Sequence, residues 1–245
     1  MNDAGHELFA KRLAPLLQSK LSNPRQPLPG PIPNPNLPGD WQTMDVGDET
    51  QIGLPGTVSA DSSSTFTLWG SGADIDNDSD AFRFMYQPFS GSGAIESTIR
   101  SHSTFAKCAK AGIMIREHLG SGSPLIMLGI SPADGVFVQV RYRNFQPTKI
   151  IKKMKASPPY RLRLVRQSDD LFEAHIQHID ILGASTAWEP FVSITFPLSK
   201  DVYAGLAVTS CDTSVVSVAK FTEVTLYHTS TLTRVGGPRL VNQQS

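Results

Sequence analysis

Between Trp41 and Tyr227 the chain repeats one pattern. A short run of alternating apolar and polar residues is followed by a cluster of Gly, Ser, Asn, Asp or Pro. A period of two puts every second side chain on one face of an extended strand, and turn residues this frequent interrupt any long helix. Eleven segments fit: Thr65–Trp69, Ala81–Gln87, Gly93–Ser101, Gly112–Glu117, Leu125–Ile130, Val136–Tyr142, Tyr160–Arg166, Leu171–Ile179, Phe191–Phe196, Val202–Thr209 and Val216–Tyr227. A hydrophobic fraction of 40% supplies a core and excludes a wholly disordered chain. The pattern predicts an all-β sandwich or jelly roll over residues 41–228, with no helix longer than two turns in that range.

The flanks are different material. In residues 1–23 the period becomes helical: Leu8, Phe9, Leu13, Leu16, Leu17 and Leu21 recur at spacings of three and four, Asn2 or Asp3 can cap the start, and Asn23-Pro24 ends the run. A lone helix of this length is marginal in water unless its apolar face docks. Residues 24–40 read as a linker, and seven of the fifteen residues 24–38 are proline. Such a segment favours polyproline II at about 3.1 Å per residue, a reach of roughly 45 Å. The apolar stripe and the stiff spacer together predict an intermolecular contact through residues 1–38, with another protein subunit or a second copy in a homo-oligomer. Residues 229–245, with Gly236-Gly237-Pro238, read as a polar tail.

Lys+Arg is 22 and Asp+Glu is 22, so the formal net charge is zero. That argues against a globally basic nucleic-acid binder, and no nucleic-acid partner is expected. The neutral total conceals two blocks: nine acids and no base from Asp40 to Phe82, and nine bases and no acid from Arg141 to Arg166. The blocks can neutralise each other within the fold, steer contacts between copies, or offer the basic side to a polyanion. No apolar run reaches the roughly 18 residues of a membrane helix, and residues 1–20 lack a secretory apolar stretch. Cys108 and Cys211 are too few for a disulfide scaffold and are expected as free, buried thiols, although one bridge is compatible with the sequence.

Several strings, taken in order, carry a resemblance: "FTLWGSGADIDNDSDAFRFMYQPFSGSGAIESTIRS" (66–101), "AKAGIMIREHLGSGS" (109–123), "PPYRLRLVRQSDDLFEAHI" (158–176), "AWEPF" (187–191) and "VYAGLAVTSCDTSVVSVAKFTEV" (202–224). Over residues 41–227 the chain resembles the concanavalin A-like lectin/glucanase jelly roll, in the version found as an accessory module of bacterial extracellular proteins. The resemblance implies two antiparallel sheets packed face to face. It implies a binding or architectural module rather than an enzyme, and an extracellular or surface-exposed location. Glucanases of this fold carry closely spaced carboxylates on one strand. Here Glu96, Glu117 and Glu173 each stand alone, so no enzyme activity is expected.

The candidate metal site is the run Asp74, Asp76, Asp78 and Asp80, whose alternating oxygen ligands suit Ca2+; the closing Glu of a helix–loop–helix calcium site is missing. An Asx-rich turn is the structural alternative. Sugar binding requires exposed aromatic faces with polar groups beside them. Tyr142 and Phe145 flank a turn and are the better exposed aromatics, with Arg141 and Arg143 alternating beside them. Tyr86, Phe89 and Trp188 are weaker candidates: Tyr86 shares a face with Phe82 and Phe84, and Trp188 fits a packing role. The reading of function is a non-catalytic carbohydrate-binding or surface-associated module. The alternative is a decorating subunit of a larger assembly, docked through the N-terminal helix and arm.

Overall fold

The computed structural model describes residues 37–180 and 183–228. The helix and docking residues Leu8, Phe9, Leu13, Leu16, Leu17 and Leu21, most of the Pro-rich linker and the tail lie outside the described residues. Along the chain run β1 (Gln42–Val46), a single-turn helix α1 (Glu49–Ile52), β2 (Thr57–Ser62), β3 (Thr65–Gly72), β4 (Asp74–Asp76), β5 (Ser79–Ser90), β6 (Gly93–Ser103), β7 (Lys110–Arg116) and β8 (Leu125–Ser131). Then come β9 (Gly135–Arg141), β10 (Lys149–Met154), β11 (Tyr160–Arg166), β12 (Leu171–His178), β13 (Glu189–Thr195), β14 (Asp201–Thr209) and β15 (Asp212–His228). All eleven expected segments are strands, and the helix has only four residues. Asp48 caps it, accepting from the Thr50 and Gln51 amides.

The strands form two antiparallel sheets. One has eight strands in the order β1-β5-β14-β7-β8-β9-β10, with β4 paired to the start of β5; the other has seven, in the order β13-β12-β11-β6-β15-β3-β2. Sequence neighbours are interleaved in both, as in a jelly roll. The last two strands sit inside the sheets: β14 lies between β5 and β7, and β15 between β3 and β6.

The main core lies between the inner faces. Ile113, Ile115, Ile126, Leu128, Val138 and Leu206 of the eight-stranded sheet meet Phe66, Leu68, Ile95, Leu162, Leu164, Phe172 and Phe221 of the other. A second apolar layer covers the outward face of the eight-stranded sheet. Phe82, Phe84 and Tyr86 alternate along β5 and join Met114, Met127, Phe137 and Ala207, beneath Ile75 and Leu119. The three aromatics share a buried face, as their spacing predicts, but it is the face turned away from the other sheet.

Arg141 organises that cover. It is fully buried, so the expectation of an exposed ligand-binding arginine is corrected. Its guanidinium clamps Asp80 with two bonds, Nη2 to Oδ1 at 2.6 Å and Nη1 to Oδ2 at 2.8 Å. It also donates to the carbonyls of Asp76, Asn77, Ser121, Ser123 and Gln146, tying three loops over the sheet. Arg116, also fully buried, lies 3.3 Å from the second Asp80 oxygen, donates to the His118 and Gly120 carbonyls, and stands over the Phe82 ring. Burial pushes the Arg116 guanidinium down to about 10, against the pull of Asp80, so it stays charged at neutral pH. The acidic and basic blocks therefore meet inside the fold at Asp80–Arg141. Arg166, another member of the basic block, is buried too and donates to the carbonyls of Leu198, Ser199 and Lys200.

Cys108 and Cys211 form a disulfide, with a Cα–Cα distance of 5.7 Å. This corrects the expectation of free thiols. The cause is register: β14 and β7 are antiparallel with Thr209 opposite Lys110, and the same register continued two residues sets Cys211 opposite Cys108.

His102 sits near the end of β6, opposite the buried Ala219, and its Nε2 has no hydrogen-bond partner among the described residues. Burial lowers its pKa to about 4. In the window from about 6.5 to about 4 the unfolded chain binds a proton there that the folded chain does not, so stability falls as pH falls. The expected loss is about 2–3 kcal/mol between pH 7 and pH 4. Urea midpoints across that range should flatten in His102→Gln; an unchanged slope would remove His102 as the cause.

Candidate functional site

The outward face of the eight-stranded sheet is covered across β5, β14, β7, β8 and β9, so apart from the edge strand β10 the exposed sheet surface among the described residues is the outward face of the seven-stranded one. Alternation fixes its members: Leu162 and Leu164 point into the core, so Arg161 and Arg163 point out. The ladders align them in rows. His175, Arg163, Glu96 and Thr225 form one row; Gln177, Arg161, Thr98 and Thr222 form the next.

Glu96 is the buried anion of the first row. Arg163 Nε donates to Oε1 at 2.7 Å, Arg161 Nη2 to Oε2 at 3.3 Å, and the Tyr227 hydroxyl to Oε1 at 2.9 Å. Burial and the neighbouring carboxylate push the Tyr227 phenol up, so it is a donor rather than a base at neutral pH. Tyr227 is 42% exposed. Trp188, half-buried, comes over from the segment before β13 and lies with its ring centroid 4.0 Å from the Arg163 guanidinium carbon and 5.4 Å from that of Arg161.

The second row carries unsatisfied polar atoms. Arg161 Nε, Gln177 Oε1 and Thr222 Oγ1 are buried with no hydrogen-bond partner among the described residues, Arg161 Nε having only the Glu223 carboxylate 4.0 Å away. Such atoms cost about 1–3 kcal/mol each when left unpaired, so three on one row is costly for a structure with no use for them. Beside them the ladder bulges between Thr222 and Thr225. Within the bulge Glu223 adopts φ 55° and accepts from Thr98 Oγ1 at 2.6 Å. A non-glycine residue in the left-handed region at a bulge re-aims its side chain at some energetic cost, a feature concentrated at functional sites. The surface thus offers two aromatics, guanidiniums, hydroxyls and an amide oxygen within a few residue spacings.

The other candidates are placed elsewhere. Phe145 is 65% exposed with φ 55°, its ring against Gly122. Arg143 is exposed, but β9 ends at Arg141, so Arg143 does not continue the alternation. Tyr142 packs edge-on to Phe196 at 5.6 Å against the inner core. These residues therefore do not form one ligand surface with Arg141. Of the four aspartates, Asp74 is bound to Lys110 at 2.5 Å, Asp76 accepts from Thr148, Asp80 is held by its two arginines, and Asp78 is exposed. Among the described residues no three His, Cys, Asp or Glu side chains gather as a metal-binding group. Glu117 lies beyond β7 and accepts from Ser199, so it belongs to the other sheet from Glu96 and Glu173. Phe105, 91% exposed beside the disulfide, was not singled out by sequence because a lone aromatic in a loop carries no pattern.

No protein-family model and no curated protein matches the chain. Among solved structures it is similar to a functionally unknown protein from Saccharomyces cerevisiae, at 15% identity and a TM-score of 0.59, covering 78% of this chain and 97% of that one. It is also similar to the carbohydrate binding module CBM66 from Bacillus subtilis (16% identity, 76% and 94% coverage, TM-score 0.46). Arcelin-5, a lectin-like defense protein from Phaseolus vulgaris, follows (9% identity, 80% and 95% coverage, TM-score 0.47). The yeast likeness supports the two-layer sandwich, and at such identities it shows the fold alone.

Proposed function

We propose that the domain binds carbohydrate without turning it over, on the outward face of the seven-stranded sheet. The observation that carries the reading is the row in which Arg161 Nε, Gln177 Oε1 and Thr222 Oγ1 lack hydrogen-bond partners, with Trp188 lying over Arg161. A partner rich in hydroxyls, each both donor and acceptor, satisfies such a mixed set, and Trp188 and Tyr227 supply ring faces for the apolar side of a sugar. Absence of turnover is supported by the state of Glu96, committed to two arginines and a tyrosine. The disulfide suits an oxidising compartment, in keeping with a surface or extracellular role.

Affinity electrophoresis and calorimetry against a panel of neutral and acidic polysaccharides test this. Trp188→Ala and Tyr227→Phe should separate the contributions: the first is expected to weaken binding about tenfold or more, since ring contacts add about 0.5–1.5 kcal/mol beyond the area they bury. The thermal midpoint should move by only a few degrees. Wild-type protein that binds none of the panel, or Trp188→Ala protein that binds as well as wild type, would overturn the site. Release of new reducing ends that disappears on replacing Glu96 would overturn the non-catalytic reading.

A further inference from the structure

Where the rows end, the face runs into a cleft of about 790 Å³ lined by Arg100, Ser157, Pro158, Pro159, His178 and Asp180, among others. Its size falls within the range of small-ligand sites. β6 carries the track into it: Thr98 of the second row is two residues before Arg100, the β6–β11 pairing ends with Ile99 opposite Tyr160, and the β6–β15 ladder bulges at Arg100. Arg100 therefore lies just past the end of the second row, on the strand that carries Thr98.

Arg100 differs from the other arginines on this face. Arg161 and Arg163 are engaged with Glu96, whereas Arg100 is exposed and forms no ion pair or side-chain hydrogen bond with any described residue. Asp180 also lines the cleft, and its Oδ1 accepts from the Ala184 amide at 2.8 Å. His178 stands beside it, edge-on to Tyr160 at 5.3 Å. A cleft with a free guanidinium fork on its wall matches a planar anion that accepts two parallel bonds.

We propose that the ligand is an acidic saccharide whose uronate carboxylate is received by Arg100 in this cleft, while adjoining sugars run over the Arg161 row toward Trp188. The inference rests on the carbohydrate reading above and adds the charge class. Saccharide bound only at the Trp188 rows would meet no unpaired cation; one reaching the cleft does.

The probes are polygalacturonate, polymannuronate and hyaluronate, each compared with the same polymer after carboxyl reduction to the neutral sugar. Wild-type protein should bind at least one of the acidic polymers, and its carboxyl-reduced form roughly ten- to hundredfold more weakly, the range expected for a charge-assisted bidentate pair. Arg100→Gln should lower acidic affinity to the level of the reduced polymer and leave the reduced polymer's affinity unchanged. Arg100→Lys should recover part of it, because the charge remains and the fork is lost. Equal binding of acidic and reduced polymers, or an Arg100→Gln protein with undiminished acidic preference, overturns the inference and leaves the carbohydrate site standing. Neutral and acidic polymers both failing to bind overturns the inference and the carbohydrate reading together.

Discussion

Replacing Asp80 by alanine is expected to destabilise the protein by about 3–5 kcal/mol, the usual consequence of removing one member of a buried ion pair. Asp80 is the shared anion of two arginines, and all three side chains are fully buried. Its loss leaves two guanidiniums in the interior facing each other without a counter-charge. Arg116 is already lowered by burial and is held up by Asp80, so removing the carboxylate should lower it further. The damage should spread, because the Arg141 clamp also fixes the loops that carry Ile75 and cover Phe82 and Phe84. Asp80→Asn keeps the shape and some hydrogen bonding, and should still lose most of the effect, because the charge is what is missing. Urea unfolding followed by tryptophan fluorescence gives the difference directly. A change below about 1 kcal/mol in both variants would show that the cluster is not what holds the cover down.

Opening the Cys108–Cys211 bridge should have an effect of similar size. The cross-link spans 103 residues, and in the chain-entropy account a loop of about 100 residues is worth about 4.7 kcal/mol, with about 2–5 kcal/mol the usual range on removal. The paired variant Cys108→Ser with Cys211→Ser should therefore unfold at a clearly lower urea concentration than the oxidised protein. Wild-type protein held in reductant should match the variant. Coincident midpoints for oxidised and reduced wild type would mean that the ladder between β14 and β7 already restrains both ends.

What the sequence revealed and what it hid divide along physical lines. β11 and β12 alternate cleanly because one of their faces is buried and the other is not, and period two records that difference. β10 exposes all six of its residues, Lys149–Met154, so it has no two-sided pattern to detect. β4 is three residues long, too short to show a period, yet it brings Ile75 onto the sheet. Alternation also cannot say whether an outward face will be covered by loops. That is why Arg141 and Arg143 looked like neighbours on an exposed strand, when one is a buried clamp and the other lies beyond the strand's end. The disulfide was invisible for a related reason: its two residues become opposite only once β14 is threaded beside β7. The candidate site was half legible. The alternation of Tyr160–Arg166 puts Arg161 and Arg163 on one face, but Trp188 reaches them from a loop, and Glu96 becomes their partner only through the β6–β11 register.

The placement of β14 and β15 also governs how this chain can be made. A ribosome delivers β5 and β7 long before the strand that joins them, and β3 and β6 before the one that joins those. Until residues 201–228 emerge, each sheet is in two pieces with unpaired inner edges, and such edges readily pair with the wrong chain. Pairings this distant in sequence also slow folding. Completion of the fold therefore waits for the last two strands, and a chain interrupted shortly before residue 201 would lack an interior strand of each sheet rather than a peripheral one.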